Sequence, residues 1–451
     1  MTHTPLSWTG IARLGLVQMA LGAIVVLTTS TLNRVMVVEL ALPAMLPGVL
    51  VAIHYVVQLL RPRLGYGSDV GGRRTPWIVG GMAVLAVGGI AASCATVLMA
   101  SHLVLGTLLA VLAFCMIGLG VGAAGTSLLV LLAKRVVPER RAPAATMVWL
   151  MMIGGFIITA TTAGHLLDPF SPARLVAVTS SVSVLAFIIA WLAIRNVEGD
   201  GRPAMADAAD IDAADAPAPP FRQALAQVWA DADARRFTIF VFISMLAYSA
   251  QDLILEPFAG VVFAYTPGES TRLAGLQHGG VLAGMLLVAL CAGVARNSWL
   301  GSLKNWMVFG CVASGCALLS LVAAGAVGPA WPLKASVFAL GVFNGAFSIA
   351  AIGSMMRLAG DGPKAREGVR MGLWGAAQAI AFGLGGMAGA GASDLARLLL
   401  GSQAAAYASV FFVEGLLFFF AAVLATRITP ARTEQPRKAA AKYPGGSMVG
   451  T

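Results

Sequence analysis

The sequence predicts an all-α polytopic membrane protein whose twelve transmembrane helices form two pseudo-symmetric six-helix bundles. Three observations lead there. Apolar runs of membrane-crossing length recur along the whole chain, short basic clusters separate them, and one polar stretch divides them six and six. With 58% hydrophobic and only 11% charged residues among 451, the chain cannot clothe soluble domains in a polar skin. The formal charge of +10 does not point to nucleic acid, because the basic residues sit in short clusters between spans, as topology signals do. Five cysteines lie inside the spans without the spacing of a metal knuckle, and read as small buried apolar residues.

At about 20 residues per crossing, the spans fall at 15–38, 44–60, 77–97, 103–131, 144–166, 174–194, 237–262, 273–294, 306–326, 331–355, 370–391 and 403–426. Pro43 and Pro47 crowd the start of the second, and the fourth is long enough to tilt. Of the 30 Lys and Arg residues, all but Arg34, Arg174, Arg272, Lys334 and Arg397 fall in segments on the N-terminal side, so both termini are expected in the cytoplasm.

The stretch EGDGRPAMADAADIDAADAPAPPFRQ offers little to bury. The expected organisation is an N-terminal bundle at 1–198, a flexible cytoplasmic linker at 199–236, a C-terminal bundle at 237–430 and a cytoplasmic tail at 431–451. The halves look duplicated. RAPAATMVW and REGVRMGLW recur at an offset of 225 (366 − 141), and His54 and His278 at 224 (278 − 54). VEL at 38–40 and LEP at 255–257, offset by 217 (255 − 38), pair Glu39 with Glu256. A parallel duplication places two six-helix bundles face to face across a central cavity.

After the second span comes RPRLGYGSDVGGRRTPW. Gly65, Asp69, Gly72, Arg73 and Arg74 match the signature loop G-x-x-x-D-x-x-G-R-R of the major facilitator superfamily, and the chain resembles that superfamily in span number and duplication. Glycines permit the tight turn, and Asp69 can accept charge-assisted bonds as a latch. The second half has Arg296 at the corresponding place but no aspartate. LNRVMVVEL, this loop, QDLILEP and RMGLWGAAQAI together resemble the light-harvesting complex assembly and bacteriochlorophyll delivery branch, the PucC and LhaA type proteins of phototrophic bacteria. The resemblance runs from about residue 10 to about 426. It implies an assembly factor that binds or delivers bacteriochlorophyll, with carotenoid a second candidate pigment, to light-harvesting alpha and beta polypeptides or their nascent ring. It also implies a bacterial cytoplasmic or intracytoplasmic photosynthetic membrane, with membrane lipids as partners and magnesium only within the pigment.

Polar groups inside hydrocarbon mark the candidate site. Asn33, Arg34, Glu39, Gln251, Asp252 and Glu256 either line a pigment site or its gate, or pair between helices to hold the halves together. Arg34 and Glu39 are five apart and share no stripe of an α-helix, so two separate contacts are expected rather than one intrahelical pair. Pro257 after Glu256 should loosen the local helix. His54 and His278 are embedded, and neutral imidazole suits the axial position of a metallated tetrapyrrole, although magnesium also accepts oxygen. Either histidine can equally be a polar packing residue. Gln18, Asn344, Gln378 and Glu414 are the other embedded polar groups, and Glu414, in VFFVEGLLFFF, is a candidate for proton coupling. No Ser-His-Asp arrangement, P-loop or dinucleotide fingerprint is present, so an enzyme is not expected. The alternative to pigment delivery is a proton-coupled secondary transporter of a small or amphiphilic solute.

Overall fold

The computed structural model describes residues 6–61, 64, 73–198, 229–294, 298–360 and 367–428. Twelve long helices follow one another through them. They are α1 (Trp8–Glu39), α2 (Met45–Leu60), α3 (Thr75–Leu98), α4 (Leu103–Arg135), α5 (Pro138–Leu166), α6 (Pro172–Ile194), α7 (Ala232–Phe263), α8 (Pro267–Val294), α9 (Leu303–Val327), α10 (Leu333–Gly360), α11 (Glu367–Leu400) and α12 (Gln403–Thr426). Ten are long and apolar enough to cross a membrane. The other two are the short α2 and the glycine-diluted α11. Hydrocarbon offers no partner to a backbone N–H or C=O, so each crossing closes its own hydrogen bonds. The chain is a multi-pass membrane protein.

Local chemistry sets the ends. Ser171 caps α6 through Arg174 N, Ser302 caps α9 through Asn305 N, and Pro138 and Pro172 stand at first helical turns where a missing N–H costs nothing. Asp231 accepts from the backbone of Asp233 and Ala234 and starts α7 at Ala232, so the helix reaches back into the 199–236 stretch.

Packing repeats between the halves. Within the first, α1 packs on α5 and α6, α3 on α4 and α6, and α2 on α4. Within the second, α7 packs on α11 and α12, α9 on α10 and α12, and α8 on α10. Advancing every helix number by six converts one set into the other. The halves meet where α5 packs on α8, α2 on α11 and α1 on α7, pairs that the same two-fold exchanges. One apolar core lies in each half, and Leu253 of α7 joins the core of the other half. Glycine lets α8 and α10 touch backbone to backbone: a Cβ on Gly280 would lie 3.0 Å from Val342 N, and one on Gly345 2.9 Å from Val281 Cα.

The repeated tryptophans keep their places on α5 and α11 but not their surroundings. Trp149 is exposed, whereas Trp374 is buried edge-on against Phe237 with ring centroids 4.9 Å apart.

Candidate functional site

The far end of α1 is not a regular α-helix. Leu27–Thr31 and Val35–Glu39 are π turns, with three α-helical residues between them. Thr28 and Thr29 hydroxyls donate back to carbonyls of the preceding turn, competing with the regular ladder. The widened turn corrects one expectation. Arg34 and Glu39 do form an ion pair, with Arg34 Nη1 donating to Glu39 Oε1. A spacing of five misses the stripe of an α-helix, but the i→i+5 closure of a π turn brings those positions together.

This segment ties the halves on the side away from the termini. Arg34, 2% exposed, donates through Nη2 to the carbonyl of Tyr265 at 2.6 Å, and Asn33 Nδ2 donates to the carbonyl of Leu253 at 2.6 Å. The guanidinium lies over Gly260, where a Cβ would come within 2.9 Å of it. Ser30 donates to Glu256 Oε1, and the hydroxyls of Thr31 and Thr271 are 3.1 Å apart. Two contacts at loop ends add to these. Arg272 donates to Asp168 at 2.8 Å, and the backbone N–H groups of Ala44 and Met45 donate to Asp394 at 3.0 and 2.7 Å. Sequence reasoning missed Ser30, Asp168 and Asp394. The available signals were Arg272 and Arg397, basic residues on the side where few occur, which pair with Asp168 and Asp394.

Glu39 and Glu256 are not structural counterparts. Glu39 ends α1 and its side chain is 35% exposed. Glu256 is 2% exposed and lies seven residues before the end of α7, about 10 Å deeper at 1.5 Å per residue. The residue that meets Glu256 across the interface is Ser30. The 217 offset matched a sequence coincidence.

Deeper in, Tyr55 of α2, Phe382 of α11 and Tyr248 of α7 form a row with centroid spacings of 5.5 and 5.9 Å, crossing from one half to the other. Asp252, half-buried one turn above Tyr248, makes no hydrogen bond among the described residues. Gln251 beside it is fully buried with neither amide atom partnered among the described residues, where Glu256 Oε2 likewise has no hydrogen-bond partner.

The two histidines diverge. His54 is buried, and its Nε2 lies 2.8 Å from the Gln58 amide nitrogen, whose N–H donates to it while Gln58 Oε1 accepts from Arg61. Its lone pair is taken. His278 is half-buried, and Nδ1 donates to the carbonyl of Ala274 at 2.8 Å. That bond assigns the proton to Nδ1 and leaves the Nε2 lone pair without a protein partner among the described residues. The ring stands edge-on to Phe156 of α5 at 4.9 Å. One turn along α8, Leu282 joins Pro143, Thr146, Met147, Leu150 and Met151 of α5 in an open, mainly apolar cavity of about 640 Å³.

Of the signature loop, Gly65, Asp69 and Gly72, and with them the latch expected of Asp69, lie outside the described residues. Arg73 and Arg74 lead into α3. Glu198, just past α6, accepts from the backbone N–H of Arg74 at 2.7 Å and of Thr75 at 2.8 Å, and from the Thr75 hydroxyl at 2.7 Å. Burial alone would raise this carboxyl, but those hydrogen bonds and the Arg74 charge hold it below its ordinary value. Arg296 lies outside the described residues too.

The geometry has the arrangement of a transporter-type bundle, and the family model described as PUCC protein matches residues 31–433. The chain belongs to the PucC family. A relative from Rhodobacter capsulatus named "Bacteriochlorophyll synthase 44.5 kDa chain" is 51% identical over 427 residues, covering 95% of this chain and 97% of its own. "Protein PucC" of the same organism is 30% identical over 432 residues, covering 92% and 90%. The crystal structure of a D-xylose-proton symporter superposes with a TM-score of 0.74 at 13% identity, covering 94% of this chain and 98% of its own. At that identity the likeness shows the fold alone, which is the major facilitator fold expected from the signature loop. This PucC-family member shares the symporter's frame. What it handles is a matter for the site itself.

Proposed function

We propose that this PucC-family protein is a non-enzymatic assembly factor that holds bacteriochlorophyll in the membrane and delivers it to light-harvesting alpha and beta polypeptides. One observation carries the reading: a half-buried histidine, His278, offers an unshared Nε2 lone pair at the α5–α8 seam, one turn from an apolar cavity. The relatives' names support it. The donor set fits the pigment, since a neutral imidazole with its other nitrogen fixed by a carbonyl is an oriented ligand, and apolar side chains suit a macrocycle. When bound, bacteriochlorophyll would supply a magnesium centre with a coordination site for a nitrogen or oxygen donor. His278 would fill it, Met147 and Met151 would adapt their flexible thioethers to the ring, and His54, already committed to Gln58, would not ligate. Asn33, Arg34, Glu39 and Glu256 then serve the gate on the far side, and Gln251 and Asp252 the central level. The protein would work in the bacterial cytoplasmic or intracytoplasmic photosynthetic membrane with both termini cytoplasmic, and carotenoid would be a second occupant of the apolar surfaces.

The test is purification of full-length protein from a bacteriochlorophyll-producing host, comparing pigment per folded chain in wild type, His278→Leu and His54→Leu. His278→Leu should lose most of the pigment and His54→Leu should keep it. Equal pigment in all three would sink the assignment. A proton-coupled transporter remains the second reading, favoured by the symporter-like fold; solute uptake by pigment-free vesicles would mark it.

A further inference from the structure

Three helices of the second half bring polar groups short of partners to one depth. Asp252 lies 11 residues before the outer end of α7 (263 − 252), Asn344 11 residues into α10 (344 − 333), and Glu414 11 residues into α12 (414 − 403). At 1.5 Å per residue this is about 16 Å from the helix ends, near the middle of a bilayer. An aromatic shelf confirms the level: Tyr248 stacks on Phe347 at 6.3 Å, and Phe347 on Phe418 at 5.5 Å. Asp252 is one turn outward of Tyr248, Glu414 one turn outward of Phe418, and Asn344 one turn outward of Phe347. A second aromatic layer, Phe258 against Phe411 at 5.1 Å and Tyr407 at 6.0 Å, closes the outer side.

Between the layers the polar atoms are short of partners. Among the described residues, Glu414 is 2% exposed with neither oxygen hydrogen-bonded, and Asn344 is fully buried, its Oδ1 accepting from Ser314 of α9 at 2.8 Å while Nδ2 has no partner. Asp252 is half-buried, on α7, which packs directly on the α12 that carries Glu414. The other titratable groups near this level are Tyr248, one turn inward of Asp252, and Tyr55, reached from Tyr248 across Phe382. Glu256 lies one turn further out, engaged by Ser30, with Arg34 beyond it, and His278 of α8 is at equal depth but turned onto Phe156. Among these no cation faces the two carboxyls. Two acids at one depth of packed helices, one of them buried, are compatible with a folded bundle when they carry a proton between them.

We propose that Asp252, Asn344 and Glu414 form a proton-binding site, distinct from the pigment seam, that is loaded from the interior through Asp252. Uptake of one proton takes the carboxyl pair from two negative charges to one, forming an O–H bond on one carboxyl and breaking one on hydronium, with the free Asn344 N–H donating to the oxygen that stays unprotonated. The aromatic layers can then close over the level, whereas loss of the proton demands water there. The site therefore couples protonation to closure of the second half around the central space.

Infrared difference spectra of the full-length protein in lipid nanodiscs after a pH jump, in H₂O and D₂O, test this. Wild type should show a deuteration-sensitive carboxylic-acid carbonyl band that titrates. Glu414→Gln should abolish it, Asp252→Asn should at least halve its titrating amplitude, and Asn344→Leu should shift its frequency without removing it. A wild type with no titrating band overturns the proposal whatever the variants' folding, as does a band unchanged in Glu414→Gln. Suppression of the wild-type band by sodium at fixed pH also overturns it, because that marks a metal-cation site.

Discussion

Arg34→Ala should open the side of the molecule away from the termini. In the structure Arg34 makes one charge-assisted hydrogen bond to the Tyr265 carbonyl of the other half and one ion pair with Glu39, whose side chain is 35% exposed. The buried bond contributes about 1.5–3 kcal/mol. The pair with Glu39 lies within α1 and does not bridge the halves. Removing the side chain should therefore weaken closure by about 1.5–3 kcal/mol, a factor of roughly 12 to 140 in the open-to-closed ratio. Arg34→Lys should fall between, because one ammonium cannot hold the two partners in the fixed fork of a guanidinium. The assay is a spin-label distance across the halves, from Ser101→Cys between α3 and α4 to Val327→Cys at the end of α9, in a chain whose own cysteines, including the exposed Cys94 and Cys316, are replaced. A longer distance should become the main population in Arg34→Ala. A distribution identical to wild type would refute the reasoning, since Arg34 would then contribute nothing to holding the halves together.

Glu256→Gln should preserve pigment content and antenna formation at matched abundance, because the amide oxygen still accepts from Ser30, whereas Glu256→Leu removes that acceptor and should lower the yield of folded monomer; equal yields would show that the Ser30 contact is dispensable. Gly284→Leu should destabilise the protein by at least about 1–3 kcal/mol, because a side chain there meets the backbone of α10 at Val342, and an unchanged melting temperature in detergent would contradict the close packing. Glu198 holds its proton less tightly when folded, so its contribution is present above the ordinary carboxylate range and is lost as pH falls through its lowered folded value. Hydrogen exchange at the start of α3 should accelerate with acid in wild type and be already fast and pH-flat, after correction for intrinsic exchange, in Glu198→Gln. Matching profiles would remove Glu198 from that role.

Apolar length and the absence of backbone partners in hydrocarbon were enough to place the twelve long helices, ten of them long and apolar enough to cross a membrane among the described residues, because an apolar run of that length has only the helix available to it. The polar residues inside the spans were equally legible, since each is costly there. Their pairing was not. Arg34 reaches Glu39 only because α1 widens into a π turn, and Ser30 rather than Glu39 faces Glu256 because α1 and α7 cross at that depth. His54 and His278, alike in sequence position, differ because Gln58 occupies the one lone pair while a carbonyl of its own helix leaves the other free. Asp252, Asn344 and Glu414 are scattered over 163 positions of sequence (414 − 252 + 1) and become one level only when α7, α10 and α12 pack with their outer ends in register. Hydropathy depends on what a residue is, which a sequence states directly; partnership depends on the depth and rotation of helices distant along the chain, which packing alone decides.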